Sequence, residues 1–404
     1  MRLRLTLVML AFVAVLVHMA VLSLFGTSEP EPTLLPTQTT STSAMTMTVK
    51  LPFEHYLYRS GKLYGNRRAI IPLLLTSTTY HGTSLFATTV QGWILHLLIP
   101  QRTIDVVVFY DPSLVRASEI CTVLKLRPST LHTKPFDVSL LHDVHVDSSE
   151  LAVLKSGFFL TPFHEKVAIR LHPVRLRFPP YIEQNRSLLQ DPSWMRCGCP
   201  PICPQKRATV DYVQGTRWYT YDIFLEPLVL EYSFWIKMDV DIWMFRPIEF
   251  NIVDTMVSQG ALFAHTGYIY NGEGCSRELH LDIDRYLRKN NITALSSNEK
   301  WWQQDDNVYY SNFVVSSVGF HTHPGPLQLA KYLNEVPTGF FKYRWTDQSL
   351  FHKVFGVSLG PHENMFLVDW SNLRCQKKVF RPNAVFYHSK QLKRRAMLRK
   401  CTII

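Results

Sequence analysis

Two carboxylates, Asp239 and Asp241, stand one residue apart after a short apolar run in EYSFWIKMDVDIWMFR, Glu231–Arg246. Alternate residues of an extended strand point to one side, so both acids can reach a single divalent cation while Val240 packs the other way. Hard oxygen ligands suit Mg²⁺ or Mn²⁺, especially when substrate phosphates complete the shell. Acids set against Phe234, Trp235, Ile236 and Met238 would be costly near a core without a cation to pair with. The bland alternative is a pair of solvated turn acids.

A buried strand ending in a site requires a sheet. Arg67–Tyr80, RRAIIPLLLTSTTY, passes from continuous apolar residues to small hydroxyl residues, as a buried strand does where it opens onto a ligand. A helix capped by Thr83 or Ser84 and reaching about Leu98 should follow, and Ile104–Tyr110 reads as a second buried strand. Strand, helix and strand make a βαβ unit with a parallel sheet. Ligands of open sheets bind beyond the C-terminal strand ends. That rule places Thr76, Ser77, Thr79 and Tyr80 near a nucleotide, with Arg67 and Arg68 as further candidate phosphate contacts.

Between about Leu126 and Gln205 the periodicity fades, and an elaborated connection over the sheet is expected, with a strand near Val144 and Val146. The spacing of Tyr212, Tyr219, Ile223, Leu225, Leu228 and Leu230 predicts a helix over Val210–Glu231 that delivers the chain into the acidic strand. Beyond it we expect a strand at Ala261–Ala264, a polar helix within Glu273–Asn290 and an apolar strand inside Trp301–Phe320. Helices over Pro324–Asn334 and from Thr346, and a closing strand Ala384–Tyr387, complete the pattern. In WWQQDD, Trp301 and Trp302 either stack on sugar rings or join the core. Asp305 and Asp306 either meet a substrate or stay solvated.

With 404 residues and 46% hydrophobic content, the chain can bury one large domain or two small ones. Leu5–Phe25 is an apolar run of about the twenty residues a membrane-crossing helix needs. Arg2 and Arg4 before it, and Glu29 and Glu31 after it, predict a cytoplasmic tail 1–4, a signal anchor 5–25 and a lumenal remainder. A cleaved signal peptide, the rival reading, usually has a shorter apolar region. Residues 26–50, rich in Ser, Thr and Pro, read as a stem, and 51–404 as the lumenal domain. Sequons at Asn185 and Asn291 suit that topology.

Cys121, Cys197, Cys199, Cys203, Cys275, Cys375 and Cys401 should pair in an oxidising lumen, leaving at least one over. The cluster CGCPPIC matches no zinc-finger spacing. The formal charge of +11 owes much to Lys390, Lys393, Arg394, Arg395, Arg399 and Lys400 in the tail. A lumenal chain meets little nucleic acid, so a sugar donor's diphosphate, acidic glycans or lipid headgroups are the expected partners of that charge.

The D-x-D pair together with Ser311–Phe351, SNFVVSSVGFHTHPGPLQLAKYLNEVPTGFFKYRWTDQSLF, resembles the fungal-type α-1,2-mannosyltransferases. In that family an S-N-F-E strand leads through a helix to G-F-F-x-x-R-W-x-D. The resemblance spans roughly Tyr212–Phe355, and RWTDQ is its most specific part. It implies a GT-A fold, a Rossmann-like α/β sandwich with a mixed, mostly parallel sheet flanked by helices. It also implies a type II Golgi membrane enzyme that uses Mn²⁺ to move a hexose from GDP-mannose or a UDP-hexose to a glycan or glycoprotein acceptor.

By the same resemblance Asp239 and Asp241 bind the metal and His388, in FYHSK, completes its shell as a neutral imidazole. Lys390 and Arg344 would meet the diphosphate, and Asp347 would orient the acceptor or the sugar. Asp347 or Asp306 would act as base if the reaction inverts. Two departures stand out: DVD replaces E-P-D, and Val314 replaces the family's glutamate. Leaving-group-assisted retention without that carboxylate therefore stays open beside inversion. So does a catalytically silent, membrane-tethered glycan-binding protein of the same fold.

Overall fold

The two runs expected as buried strands form β1, Ala69–Leu75, and β2, Ile104–Tyr110, parallel from Ala69 opposite Ile104 to Leu75 opposite Tyr110. Continuous apolar sequence forms such strands when both faces of a sheet are covered. The structure is a computed structural model. It describes residues 58–59, 62–63, 65–75, 89–90, 92–124, 126–128, 144, 146–156, 158–160, 168–191, 210–270, 278–292, 307–337, 339–359, 367–374 and 385–388.

The strands that follow are β3, Leu126–Pro128, β4, Phe158–Leu160, β5, Ala168–Pro173, and β6, Phe234–Met238. After them come β7, Ile242–Met244, β8, Phe263–His265, β9, Phe313–Ser317, β10, Leu367–Asp369, and β11, Phe386–His388. A nine-stranded sheet runs β10-β8-β9-β6-β1-β2-β5-β4-β3, and β7 pairs separately with β11. The sheet is mixed rather than mostly parallel: β1–β2, β1–β6, β2–β5 and β8–β10 are parallel, and the other four pairings are antiparallel. Insertion of β9 antiparallel between β6 and β8 accounts for two of those four.

Four helices matter for the site: α1, Val210–Thr220, α2, Ile252–Ser258, α3, Pro324–Glu335, and α4, Asp347–Leu359. The helix expected to continue to Glu231 stops at Thr220. A 3₁₀ turn over Asp222–Leu225 and a short helix starting at Pro227 replace its second half. Proline lacks an N–H and clashes with the preceding turn, so it opens a helix but does not sit inside one. Val144 and Val146 belong to no strand, while the segment before β2 ends in a π-helical turn, Ile94–Leu98.

Helix α4 covers the sheet face that carries Trp235 and Phe263, with Phe351 5.5 Å from Trp235 and Phe355 4.6 Å from Phe263 between ring centres. Both sequon asparagines are exposed. Cys121 is a free, half-buried thiol, and the other six cysteines lie outside the described residues. So do Leu5–Phe25 and the stem; among the described residues no helix is long and apolar enough to cross a membrane.

Candidate active site

Strand β6 ends at Met238, and Asp239–Ile242 is a tight turn closed by the Ile242 N–H donating to the Asp239 carbonyl at 3.0 Å. Strand alternation therefore does not place the two acids; the turn does. It follows the C-terminal end of β6, which runs parallel to β1, so it lies at the edge of the sheet where open α/β folds bind ligands. The turn is held from outside. Thr89 Oγ1 donates to the Val240 carbonyl at 2.7 Å and Trp93 Nε1 to the Ile242 carbonyl at 2.8 Å.

Gly92 allows that approach, because a Cβ there would lie 2.6 Å from the Met244 carbonyl oxygen. Gly92→Ala must push backbone away from β7. We expect it to cost roughly 1–3 kcal/mol in urea denaturation, and unchanged stability would show that the segment yields freely.

Lys237 was not singled out in the sequence, although a lysine inside FWIKM is a visible anomaly. Its side chain is 8% exposed, and its ammonium lies 2.8 Å from Asp239 Oδ1 and 2.8 Å from Asp347 Oδ2. A third donor reaches the Ser311 carbonyl at 3.0 Å, and the Tyr219 ring walls it in at 5.7 Å. Burial alone would lower the Lys237 pKa, but Asp239 and Asp347 outweigh it and hold the ammonium above the ordinary lysine range. Tyr219 is itself fixed to β1, accepting from the Leu74 N–H at 3.0 Å and donating to the Pro72 carbonyl at 3.1 Å.

The S-N-F motif links the same two acids. Asn312 Nδ2 donates to Asp239 Oδ2, the Asp239 N–H donates to the Asn312 carbonyl at 2.9 Å, and Ser311 Oγ donates to Asp347 Oδ2 at 3.0 Å. Asp347 opens α4, where a carboxylate suits the positive end of the helix dipole. Thr346 Oγ1 caps the helix by accepting from the Ser349 N–H at 3.2 Å. Val314 is fully buried opposite Lys237, and paired residues share a face. Methyl groups thus occupy the position paired with Lys237 where the resemblance led to a carboxylate.

Asp241 is buried, and Tyr310 shows where it lies. Burial raises the Tyr310 pKa, and the charges near enough to act on the phenol are Arg374 and Lys237, which oppose that rise, and Asp239 and Asp241, which add to it. The Arg374 guanidinium stacks 3.4 Å above the Tyr310 ring, a contact between residues 64 positions apart that no sequence motif marks. Arg374 bridges to Phe386 of β11. His388 pairs through its backbone with Ile242, one residue past Asp241, which brings the end of β11 beside the turn.

Other candidates fare differently. Arg344, at φ +56°, stacks on Tyr212 of α1 at 5.0 Å. Arg67 and Arg68 precede β1 at its opposite end and pair with Asp254 at 3.0 Å and Asp105 at 2.6 Å, so they are not phosphate contacts of this edge. His352 is a buried core histidine, edge-on to Tyr309 at 4.8 Å. Thr76, Ser77, Thr79, Tyr80, Trp301, Trp302, Asp305, Asp306 and Lys390 lie outside the described residues.

Asp239, Asp241 and Asp347 bring three carboxylates to this edge, with the Lys237 ammonium between Asp239 and Asp347 and the Arg374 guanidinium on Tyr310. Among the described residues no group of three or more His, Cys, Asp or Glu is arranged around a metal position. Two carboxylates at a sheet edge nevertheless fit an ion such as Mg²⁺ or Mn²⁺, which keeps waters and substrate phosphate oxygens in its shell.

No protein-family model and no curated protein matches the chain. Among solved structures it is similar to core-mannan synthase A from Aspergillus fumigatus in its Mn/GDP form. That likeness has a TM-score of 0.52 and 14% identity, over 84% of this chain and 81% of that one. It is also similar to the mannosyltransferase Ktr4p from S. cerevisiae in complex with GDP, with TM-score 0.49, 13% identity, and 74% and 68% coverage. Mouse xyloside xylosyltransferase 1 follows at TM-score 0.35 and 10% identity, with 80% and 97% coverage. What the first of these likenesses shows is a shared fold: a mixed sheet flanked by helices, of the GT-A kind.

Proposed function

We propose that the chain is a metal-dependent glycosyltransferase that moves a hexose from a nucleoside-diphosphate sugar to a hydroxyl of a glycan or glycoprotein. The observation that carries this reading is the acid-bearing turn at the C-terminal edge of the sheet, tied through Lys237 to Asp347 at the head of α4. Asp239 and Asp241 would hold Mn²⁺, which supplies charge neutralisation on a departing diphosphate, and His388, whose backbone pairs beside the turn, is the further candidate ligand the sequence offers. Asp347 Oδ2 already accepts from Lys237 and Ser311, so Oδ1 is left to orient a sugar or acceptor hydroxyl. The Arg374 guanidinium on Tyr310 adds positive charge on the same side.

GDP-mannose is the first donor to test, because the neighbours of similar fold include a mannan synthase crystallised with Mn and GDP. UDP-glucose and UDP-galactose are the alternatives. We further propose a type II Golgi protein anchored by Leu5–Phe25, a reading supported by the apolar run and its flanking charges.

Thermal unfolding of the full chain in detergent tests the central reading. One donor, with Mn²⁺ and not without it, should raise stability by about 2.7 kcal/mol at a hundredfold excess over its Kd. Mn²⁺-dependent release of the nucleoside diphosphate should accompany that shift. If no donor changes the midpoint, the transferase reading is wrong; stabilisation without turnover on any acceptor would favour the silent glycan-binding protein.

A further inference from the structure

We infer that Lys237 is a counterion shared between Asp239 and Asp347, so that Asp347 controls cation affinity at the turn without being a ligand. The inference rests on the reading of Asp239 and Asp241 as a cation site.

An ammonium has three hydrogens, and here they have three acceptors: Asp239 Oδ1 at 2.8 Å, Asp347 Oδ2 at 2.8 Å and the Ser311 carbonyl at 3.0 Å. The group is saturated, and burial under Tyr219 keeps water from replacing a lost partner. Charge that Lys237 lends to Asp347 is withheld from Asp239. Removing the Asp347 charge leaves the ammonium wholly on Asp239 Oδ1, where it competes with a cation for the same carboxylate. Removing the ammonium does the reverse. Asn312 already donates to Asp239 Oδ2, so neither carboxylate oxygen is out of reach of this competition. Ser311 and Asn312 belong to one strand entry and Asp347 to a helix start, which fixes the spacing on both sides of the lysine.

Lys237 is thus a positioning residue, and opposite shifts in metal affinity distinguish that role from general structural support. Mn²⁺ alone, titrated into the full chain with free Mn²⁺ followed by electron paramagnetic resonance, is the probe. Asp347→Asn should weaken Mn²⁺ binding about five- to tenfold and Lys237→Met should tighten it by a similar factor. The double variant should bind more tightly than wild type, and Lys237→Arg should stay near wild type.

A double variant as weak as Asp347→Asn would mean that Asp347 is itself a ligand and would overturn the inference. If Lys237→Met does not fold, Lys237→Gln takes its place, alone and with Asp347→Asn, with the same expected directions; unchanged or tighter binding by Asp347→Asn refutes the shared counterion. Should Asp239→Asn lose Mn²⁺ while the Lys237 and Asp347 variants match wild type, the cation site stands and only the role of Lys237 falls. Equal binding by wild type and Asp239→Asn would remove the cation site, and this inference with it.

Discussion

Replacing Asp239 or Asp241 with asparagine is expected to lower donor turnover at fixed Mn²⁺ by at least ~100-fold, since even outer partners of metal ligands typically contribute about 10–100-fold. The two variants should differ in how far added Mn²⁺ recovers the loss. Asp239 is partly exposed at 31% of its side chain, and an asparagine oxygen there can still accept from Lys237. Asp241 is buried within the turn, where a weaker ligand has less freedom to adjust. Asp239→Asn should therefore be partly rescued by high Mn²⁺, and Asp241→Asn should resist rescue. Both should keep a cooperative unfolding transition, because the substitutions preserve shape. Measuring turnover against Mn²⁺ concentration for each variant is the check; either one retaining wild-type rate and metal dependence would dismiss its carboxylate as a ligand.

Much of the fold was legible in the sequence because its strands are buried on both faces. Ile104–Tyr110 is found with the expected bounds, and Pro324–Glu335 exceeds the expected helix by one residue. Legibility failed where local chemistry overrode periodicity. Apolar spacing across Val210–Glu231 persists, but Pro227 removes the N–H that a continuous helix requires. At the site, the residue types were visible and their geometry was not. Asp239 and Asp241 were read as alternating strand positions, whereas the ladder stops at Met238 and a turn sets them. Lys237 is the plainest omission. A charge in the middle of a buried strand demands a partner, but Asp347 is 110 positions further along the chain, and only the packing of α4 on the sheet brings it within 2.8 Å. Tyr310 and Arg374 are linked in the same way, by tertiary contact alone.

Acid should destabilise the fold through two histidines that have no part in the chemistry. His321 lies among Phe224, Trp235, Phe351 and Phe355, stacked on Phe224 at 4.1 Å, with Nε2 2.9 Å from Ser316 Oγ. Burial lowers its pKa to about 3; burial, with Lys353 and His265 nearby, lowers that of His352 to about 3 as well. Both are neutral in the folded protein and take a proton readily only when unfolded, near 6.5. Their contribution is therefore intact above pH 6.5 and is lost as pH falls from there toward 3, by about 2 kcal/mol per histidine at pH 5. Glu226 acts in the opposite sense. Burial and Asp222 push its pKa up to about 7, so the folded state gains a proton first, and stability rises as pH falls through 7 toward the ordinary glutamate value. The wild-type profile is a compound of these, and a variant isolates the histidine part. His321→Phe keeps an aromatic ring in the aromatic cluster, gives up the Ser316 contact and cannot titrate. It should be less stable than wild type at pH 7.5 and close the gap by about 2 kcal/mol at pH 5 in urea denaturation. Parallel profiles would show that His321 is charged in the folded protein or stays neutral in both states.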